Sequence, residues 1–185
     1  MILTDQQILS AIERGRICIE PFDRKNLGSN SYDVHLGEAL AVYTQDVLDA
    51  KQPNPVRHFT IPAQGYVLQP GRLYLGVTCE YTESLDHVPF LEGKSSVGRL
   101  GIDIHATAGK GDVGFQNHWT LEISVKQPVR IYAGMPIGQL IYFRVDGKVL
   151  TPYDQKSSAK YNQRSQQPIA SKMWQAFAKQ KQPAT

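Results

Sequence analysis

At 185 residues the chain has the length of one domain with a core of its own. Hydrophobic residues make up 41% and charged residues 20%, which excludes a chain disordered throughout. A formal net charge of +3 permits a small anionic substrate, and the lack of a clustered basic stripe excludes the profile of a nucleic-acid binder. No apolar run approaches a membrane span, so no membrane partner is expected. MILTDQQILSAIERG carries no basic region followed by an apolar run, so no signal peptide is expected and the protein reads as cytoplasmic. Cys18 and Cys79 stand far apart and predict two reduced thiols, with neither a disulfide framework nor a metal knuckle.

Thr4 with Gln7 three residues on is a capping-box pair. Ile8, Leu9, Ala11 and Ile12 supply an apolar face and Gly15 a stop, which predicts a short helix over roughly residues 5 to 14. ICIEPF reads as a strand ended by Pro21. In SNSYDVHLG, Tyr32, Val34 and Leu36 alternate with Ser31, Asp33 and His35, the mark of a half-buried strand. Asp33 reads as a structural group bonding backbone at the strand start or at a subunit contact, and His35 has no assigned role. Residues 44 to 58 are polar, contain Pro53 and Pro55, and read as a variable loop. HFTI, GYVLQP and LYLGVTCEYTE follow as short strands, with turns at Pro62-Ala63, Pro70-Gly71 and Ser84-Leu85-Asp86. Many short strands with Gly/Pro punctuation predict an antiparallel barrel or jelly roll rather than a parallel α/β sheet.

The stretch from Glu92 to Glu122, EGKSSVGRLGIDIHATAGKGDVGFQNHWTLE, carries the chemistry. In KSSVGR two cations flank paired hydroxyls and a glycine within a glycine-rich loop region, a donor set suited to polyphosphate oxygens. In WTLEISV, Trp119, Leu121, Ile123 and Val125 alternate with Thr120, Glu122 and Ser124, so a strand carries a carboxylate on its polar face. PVRIYAGMPIGQLIYFRV then predicts two strands joined at Ala133-Gly134-Met135-Pro136, with Gln139 as a polar group inside an apolar run. From Asp146 the composition turns polar, as in a flexible tail. SKMWQAFAKQ closes it as an amphipathic helix anchored by Met173, Trp174 and Phe177. Residues 1–150 thus read as one β domain with an N-terminal helix, and 151–185 as a tail of the same domain.

GKSSVGRLG, HATAGKGDVGF and TLEI, with NSYDVHLG, AGMPIGQLIY and SAKY in the same order around them, resemble the dCTP deaminases of the trimeric dUTPase-like superfamily. The resemblance covers nearly the whole chain. It implies a mainly β, distorted jelly-roll or barrel fold with a short N-terminal helix and a C-terminal lid, assembled as a homotrimer. It implies hydrolytic deamination of dCTP to dUTP and ammonia, with dTTP as feedback inhibitor through loop states at His105-Ala106. Glu122 matches the catalytic glutamate, Ser95 and Arg99 match groups that position the water, and the backbone at Ala108 helps bind that water. For the nucleotide it implies Lys94, Ser95, Ser96, Val97, Gly98 and Arg99 from the KSSVGR segment. Asp112 would serve the deoxyribose hydroxyl, and Thr120, Leu121 and Glu122 would contact the nucleotide. Gln139, Tyr153, Lys160 and Arg164 would contribute further contacts, with Gln163 an alternative to Arg164. Magnesium would arrive with the triphosphate, held by phosphates with few protein ligands. The zinc deaminase signature, H-x-E with P-C-x-x-C, is absent from the sequence, so a zinc-free mechanism is expected. Lys110 departs from the family, whose members often carry an aromatic or bulky apolar residue there.

Four rival readings compete with this one. A dUTP diphosphatase on the same fold would use Asp112 to orient water, but Phe115 stands where such enzymes carry a tyrosine. A bifunctional enzyme would release dUMP directly from dCTP. A non-catalytic nucleotide sensor, or a sugar- or partner-binding jelly roll, would leave Ser95, Arg99 and Glu122 without a task.

Overall fold

Thr4 opens the first helix as its capping box predicts. Its hydroxyl accepts from the Gln7 N–H, the Gln7 side chain accepts from the Thr4 N–H, and α1 runs Asp5–Glu13. Ile8 and Ala11 are its buried face. Gly15, at φ +64°, turns the chain out of the helix in a conformation that other residues resist. The structure, a computed structural model, describes residues 1–178.

Eleven strands follow: β1 (Ile17–Glu20), β2 (Tyr32–His35), β3 (Ala39–Tyr43), β4 (Val56–Thr60), β5 (Tyr66–Leu68), β6 (Tyr74–Ser84), β7 (His87–Gly93), β8 (Ile102–Asp103), β9 (Gln116–Val125), β10 (Val129–Ile131) and β11 (Pro136–Arg144). Two short α-helices, α2 (Ser95–Gly98) and α3 (Trp174–Ala178), and two 3-10 turns, Arg24–Asn26 and Tyr153–Gln155, complete the described elements. Every named strand pair is antiparallel. The largest sheet runs β4-β3-β6-β9-β8, with β1 also on β6; β2-β11-β7 form a second sheet and β10-β5 a third.

β6 is the hub. Along one side it pairs with β9, and along the other with β3 near its start and β1 near its end. The core lies between the sheets. Val34 and Leu36 from β2 and its end, Leu40 from β3, Leu121 and Ile123 from β9, and Leu140 from β11 are fully buried. Each such side chain contributes roughly 1.5–3 kcal/mol of apolar burial. Gly76 lets these layers close: a Cβ there would stand 2.8 Å from Ile123 Cδ1 and 3.2 Å from Leu36 Cδ1. The predicted jelly-roll class is therefore the one observed.

Four details differ from the sequence reading. ALAVY and HVPFLEG form β3 and β7, which their short runs did not announce. The loop after β3 ends at residue 55, because Val56–Thr60 completes β4 against β3. KSSVGR is not open loop: residues 95–98 wind one helical turn, with the Val97 and Gly98 amides both donating to the Lys94 carbonyl at 2.9 Å. Finally, residues 151–178 do not hang free but run over the body as a strap. Ile169 N–H donates to Thr120 Oγ1 at 3.1 Å and Ser171 N–H to the Tyr43 hydroxyl at 3.0 Å. Trp174 and Phe177 of the predicted terminal helix lie in α3, while Lys179 and Gln180 fall outside the described residues.

Candidate active site

β9 presents Glu122 as the alternation predicts. Trp119, Leu121, Ile123 and Val125 are buried, and Thr120, Glu122 and Ser124 take the half-exposed face. The Glu122 amide donates to the Ile104 carbonyl at 2.9 Å, and the Ala106 N–H returns a bond to Glu122 Oε2 at 2.9 Å. The carboxylate is thus aimed at the 104–108 loop, with one oxygen held by the Ala106 N–H. Ala108 is exposed in that same loop.

The loop ties Glu122 to the second sheet. Ile104 lies over two glycines that face each other across β7 and β11, Gly93 and Gly138; a Cβ on Gly138 would stand 2.9 Å from Ile104 Cδ1. His105 Nε2 approaches Glu92 Oε2 at 3.6 Å. Glu92 is in register with Gln139, and Gln139 with Asp33 on the other side of β11. Asp33 in turn forms an ion pair with Lys94. A polar rim therefore runs Lys94, Asp33, Gln139, Glu92, His105, Ala106, Glu122 across both sheets.

That rim corrects one expectation. Asp33 serves no backbone cap; its carboxylate takes the Lys94 ammonium, 61 positions away. Lys94 is thus paired with Asp33. Gln139 accepts from the Ser31 hydroxyl at 3.4 Å. Ser95, Ser96 and Arg99 lie exposed on and after α2, with no hydrogen bond or ion pair from their side chains among the described residues. Val97 is the buried anchor of that turn and Gly98 is exposed.

Asp112 belongs to a separate group. Lys110 Nζ donates to its Oδ1 at 2.6 Å and Lys156 Nζ to its Oδ2 at 3.4 Å. The bonded Lys110 ammonium holds the Asp112 carboxyl below the usual carboxylate range, and Lys156 adds to the effect. Lys110, the residue that departs from the family pattern, is therefore the partner of Asp112. Beside it Phe115 packs on Trp119 at 4.8 Å between ring centroids and on Tyr153 at 5.9 Å. Tyr153 is thus already stacked on the protein, and its hydroxyl accepts from the Lys160 and Tyr161 amides at 3.2 and 3.1 Å. Arg164 lies over the Tyr81 ring at 3.9 Å and reaches Glu20 Oε2 at 3.4 Å.

Sequence reading missed three side chains. Glu80, buried on β6, has both carboxylate oxygens met by His35: Nδ1 at 2.6 Å and the backbone N–H at 2.9 Å. Asn117 bonds the strap, and His118 is buried with Nδ1 3.1 Å from the Thr78 carbonyl and Nε2 unpaired among the described residues. For Asn117 and His118 the signal was the polar run QNH, which interrupts the alternation at the start of β9. Cys18 and Cys79 are both free thiols, and burial pushes each up to about 11. A cleft of about 530 Å³, lined by Gly37, Thr78, Cys79, His118 and Gln167 among others, contains none of the predicted site residues. No helix among the described residues is long and apolar enough to cross a membrane.

Comparison with known proteins finds relatives over most of the chain. A dCTP deaminase, dUMP-forming, of Leptospira biflexa serovar Patoc is 52% identical over 149 residues, covering 80% of this chain and 85% of that protein. A dCTP deaminase, dUMP-forming, of Clostridium beijerinckii is 47% identical over 180 residues, covering 97% of this chain and 100% of the relative. The crystal structure of 2'-deoxycytidine 5'-triphosphate deaminase from Agrobacterium tumefaciens superposes with a TM-score of 0.62 at 22% identity, covering 81% of this chain and 50% of that one. That last likeness speaks for the fold. The family model described as dCTP deaminase-like matches residues 2–145, and the chain belongs to that family.

Proposed function

We propose that this protein deaminates dCTP and hydrolyses the resulting triphosphate, releasing dUMP, ammonia and pyrophosphate. The observation that carries this is the Glu122 carboxylate held by Ala106 N–H on β9, in a chain about half identical to enzymes named dCTP deaminase, dUMP-forming. The earlier expectation of dUTP as end product gives way to dUMP because those relatives bear that name.

Glu122 takes a proton from water as the hydroxide adds to C4 of cytosine and gives it to N3; it then carries the proton of the new C4 hydroxyl to the amine, which leaves as ammonia when the C4–N4 bond breaks and the C4 carbonyl forms. Ser95, Arg99 and the backbone at Ala108 orient that water. Thr120 and Leu121 flank Glu122 and would border the base. Asp112 would accept from the deoxyribose hydroxyl and orient the water that cleaves between the α- and β-phosphates. To do so it must be released from Lys110 and Lys156, which then stand beside the incoming phosphates. Lys94, Ser96 and Lys160 are cationic or hydroxyl donors suited to phosphate oxygens.

Among the described residues no group of three or more His, Cys, Asp or Glu side chains could hold a metal ion; lysines and hydroxyls dominate the donor set, which suits a magnesium carried mainly by the triphosphate. Bound in that way it would neutralise phosphate charge. A homotrimer with sites between subunits, inhibition by dTTP and a cytoplasmic location belong to the same reading. Closure of the strap over nucleotide does too.

The test is incubation with dCTP and magnesium, with ammonia, dUTP, dUMP and pyrophosphate measured separately. Equal yields of ammonia, dUMP and pyrophosphate are expected. Accumulation of dUTP in step with ammonia would leave a deaminase without the second hydrolysis, and no ammonia would end the proposal.

A further inference from the structure

Asn117 is 1% exposed and sits near the start of β9. Its Nδ2 donates to the Tyr161 and Gln163 carbonyls, each at 2.9 Å. Its Oδ1 accepts from the Ser165 N–H at 3.0 Å and the His118 N–H at 2.9 Å. A side-chain amide has two hydrogens to give and two lone pairs to fill, and all four are used. All four partners are backbone groups, and three belong to the strap. They fall on residues 161, 163 and 165, so the strap curls about this one amide, with a bend at Gln163. The bond pattern therefore fixes the strap's register whatever side chains the strap carries.

The same strand holds the strap again at Thr120, which accepts from Ile169 N–H at 3.1 Å. Thr120 shares the face of Glu122 and stands about 7 Å from it along the strand. Tyr161 OH then accepts from Lys172 N–H at 3.1 Å, and Lys172 Nζ donates to the Lys160 carbonyl at 2.7 Å, closing the strap on itself. The segment bearing Lys160 and Arg164 is thus tied to the strand that bears Glu122 through one buried amide.

We propose that Asn117 is a positioning residue: it docks residues 161–165 of the strap on β9 and acts on nucleotide binding only through them. Its effect on binding rests on the nucleotide reading above; the docking itself does not. A strap that is docked in advance need not be ordered when nucleotide binds, so its loss should weaken binding and spare the chemical step.

Two full-length variants test this. Asn117→Asp keeps shape and acceptor but turns the two donors into oxygen facing carbonyl oxygen. Ser165→Pro removes an amide from the strap side and leaves β9 untouched. Hydrogen exchange without nucleotide is read on residues 157–172 and, separately, on β6 and β9. In both variants strap exchange should rise at least about tenfold with the strands unchanged. With dCTP, KM should rise roughly tenfold while kcat stays within about threefold. Unchanged strap exchange in both variants overturns the docking. Strap and strands loosening together in both makes Asn117 an ordinary core residue, and a loosened strap with unaltered KM removes the role in binding. If the wild-type protein turns over no dCTP, the nucleotide reading fails while the exchange result still decides the docking.

Discussion

Replacing Glu122 by Gln separates the two hydrolyses proposed for this protein. Leu121 and Ile123 on either side are fully buried and fix β9, so an isosteric side chain at 122 has no reason to move. The amide oxygen can take over the bond from Ala106 N–H, and exchanging a charged acceptor for a neutral one costs about 1 kcal/mol of stability. What the amide cannot do is accept a proton from water. General acid–base catalysis contributes about 10²–10⁴-fold, so deamination should fall by at least about a hundredfold, or roughly 2.7 kcal/mol of barrier. The assay is ammonia release from dCTP at saturation, beside pyrophosphate release from dUTP and dCTP binding by calorimetry. Ammonia should collapse, binding should survive, and dUTP cleavage should continue because it relies on Asp112. A folded Glu122→Gln protein that releases ammonia within about threefold of the wild-type rate would refute the assignment.

Burial of His118 lowers its affinity for a proton and outweighs the opposing bond between Nδ1 and the Thr78 carbonyl. A histidine with a depressed folded pKa leaves stability intact above its unfolded value of about 6.5 and withdraws it as pH falls toward the folded value. His87, lowered chiefly by burial too, adds to the same window. Melting temperature should therefore decline below about pH 6.5, and less steeply in His118→Gln; identical profiles for the two proteins would disprove the account. Gly111→Ala places a Cβ 2.7 Å from Trp119 Cη2 and 2.9 Å from Pro89 Cγ. Overpacking of this kind costs about 1–3 kcal/mol, read by denaturant unfolding, and no change in midpoint would show that the Trp119 ring yields freely. A zinc-selective chelator should leave dCTP turnover intact while removal of magnesium weakens triphosphate binding. Stoichiometric zinc, with activity lost on its removal, would reverse that expectation.

The helix cap, the strand alternation of β9 and the antiparallel class were legible in the sequence. Each is settled by residues within a few positions of one another: Thr4 and Gln7 satisfy each other's backbone groups, and the period of two from Trp119 to Val125 selects a buried face. Motif resemblance supplied the family for the same reason, since KSSVGR and TLEI are contiguous. Tertiary structure decided the partners. Asp33 takes Lys94 across 61 positions, His35 meets Glu80 across 45, and Asn117 reaches Tyr161, Gln163 and Ser165 across 44 to 48. Composition cannot announce such pairings, because a carboxylate or amide read alone has many equivalent partners. The choice among them follows from sheet register and from which polar groups burial leaves to be satisfied, and both exist only once the chain has closed on itself.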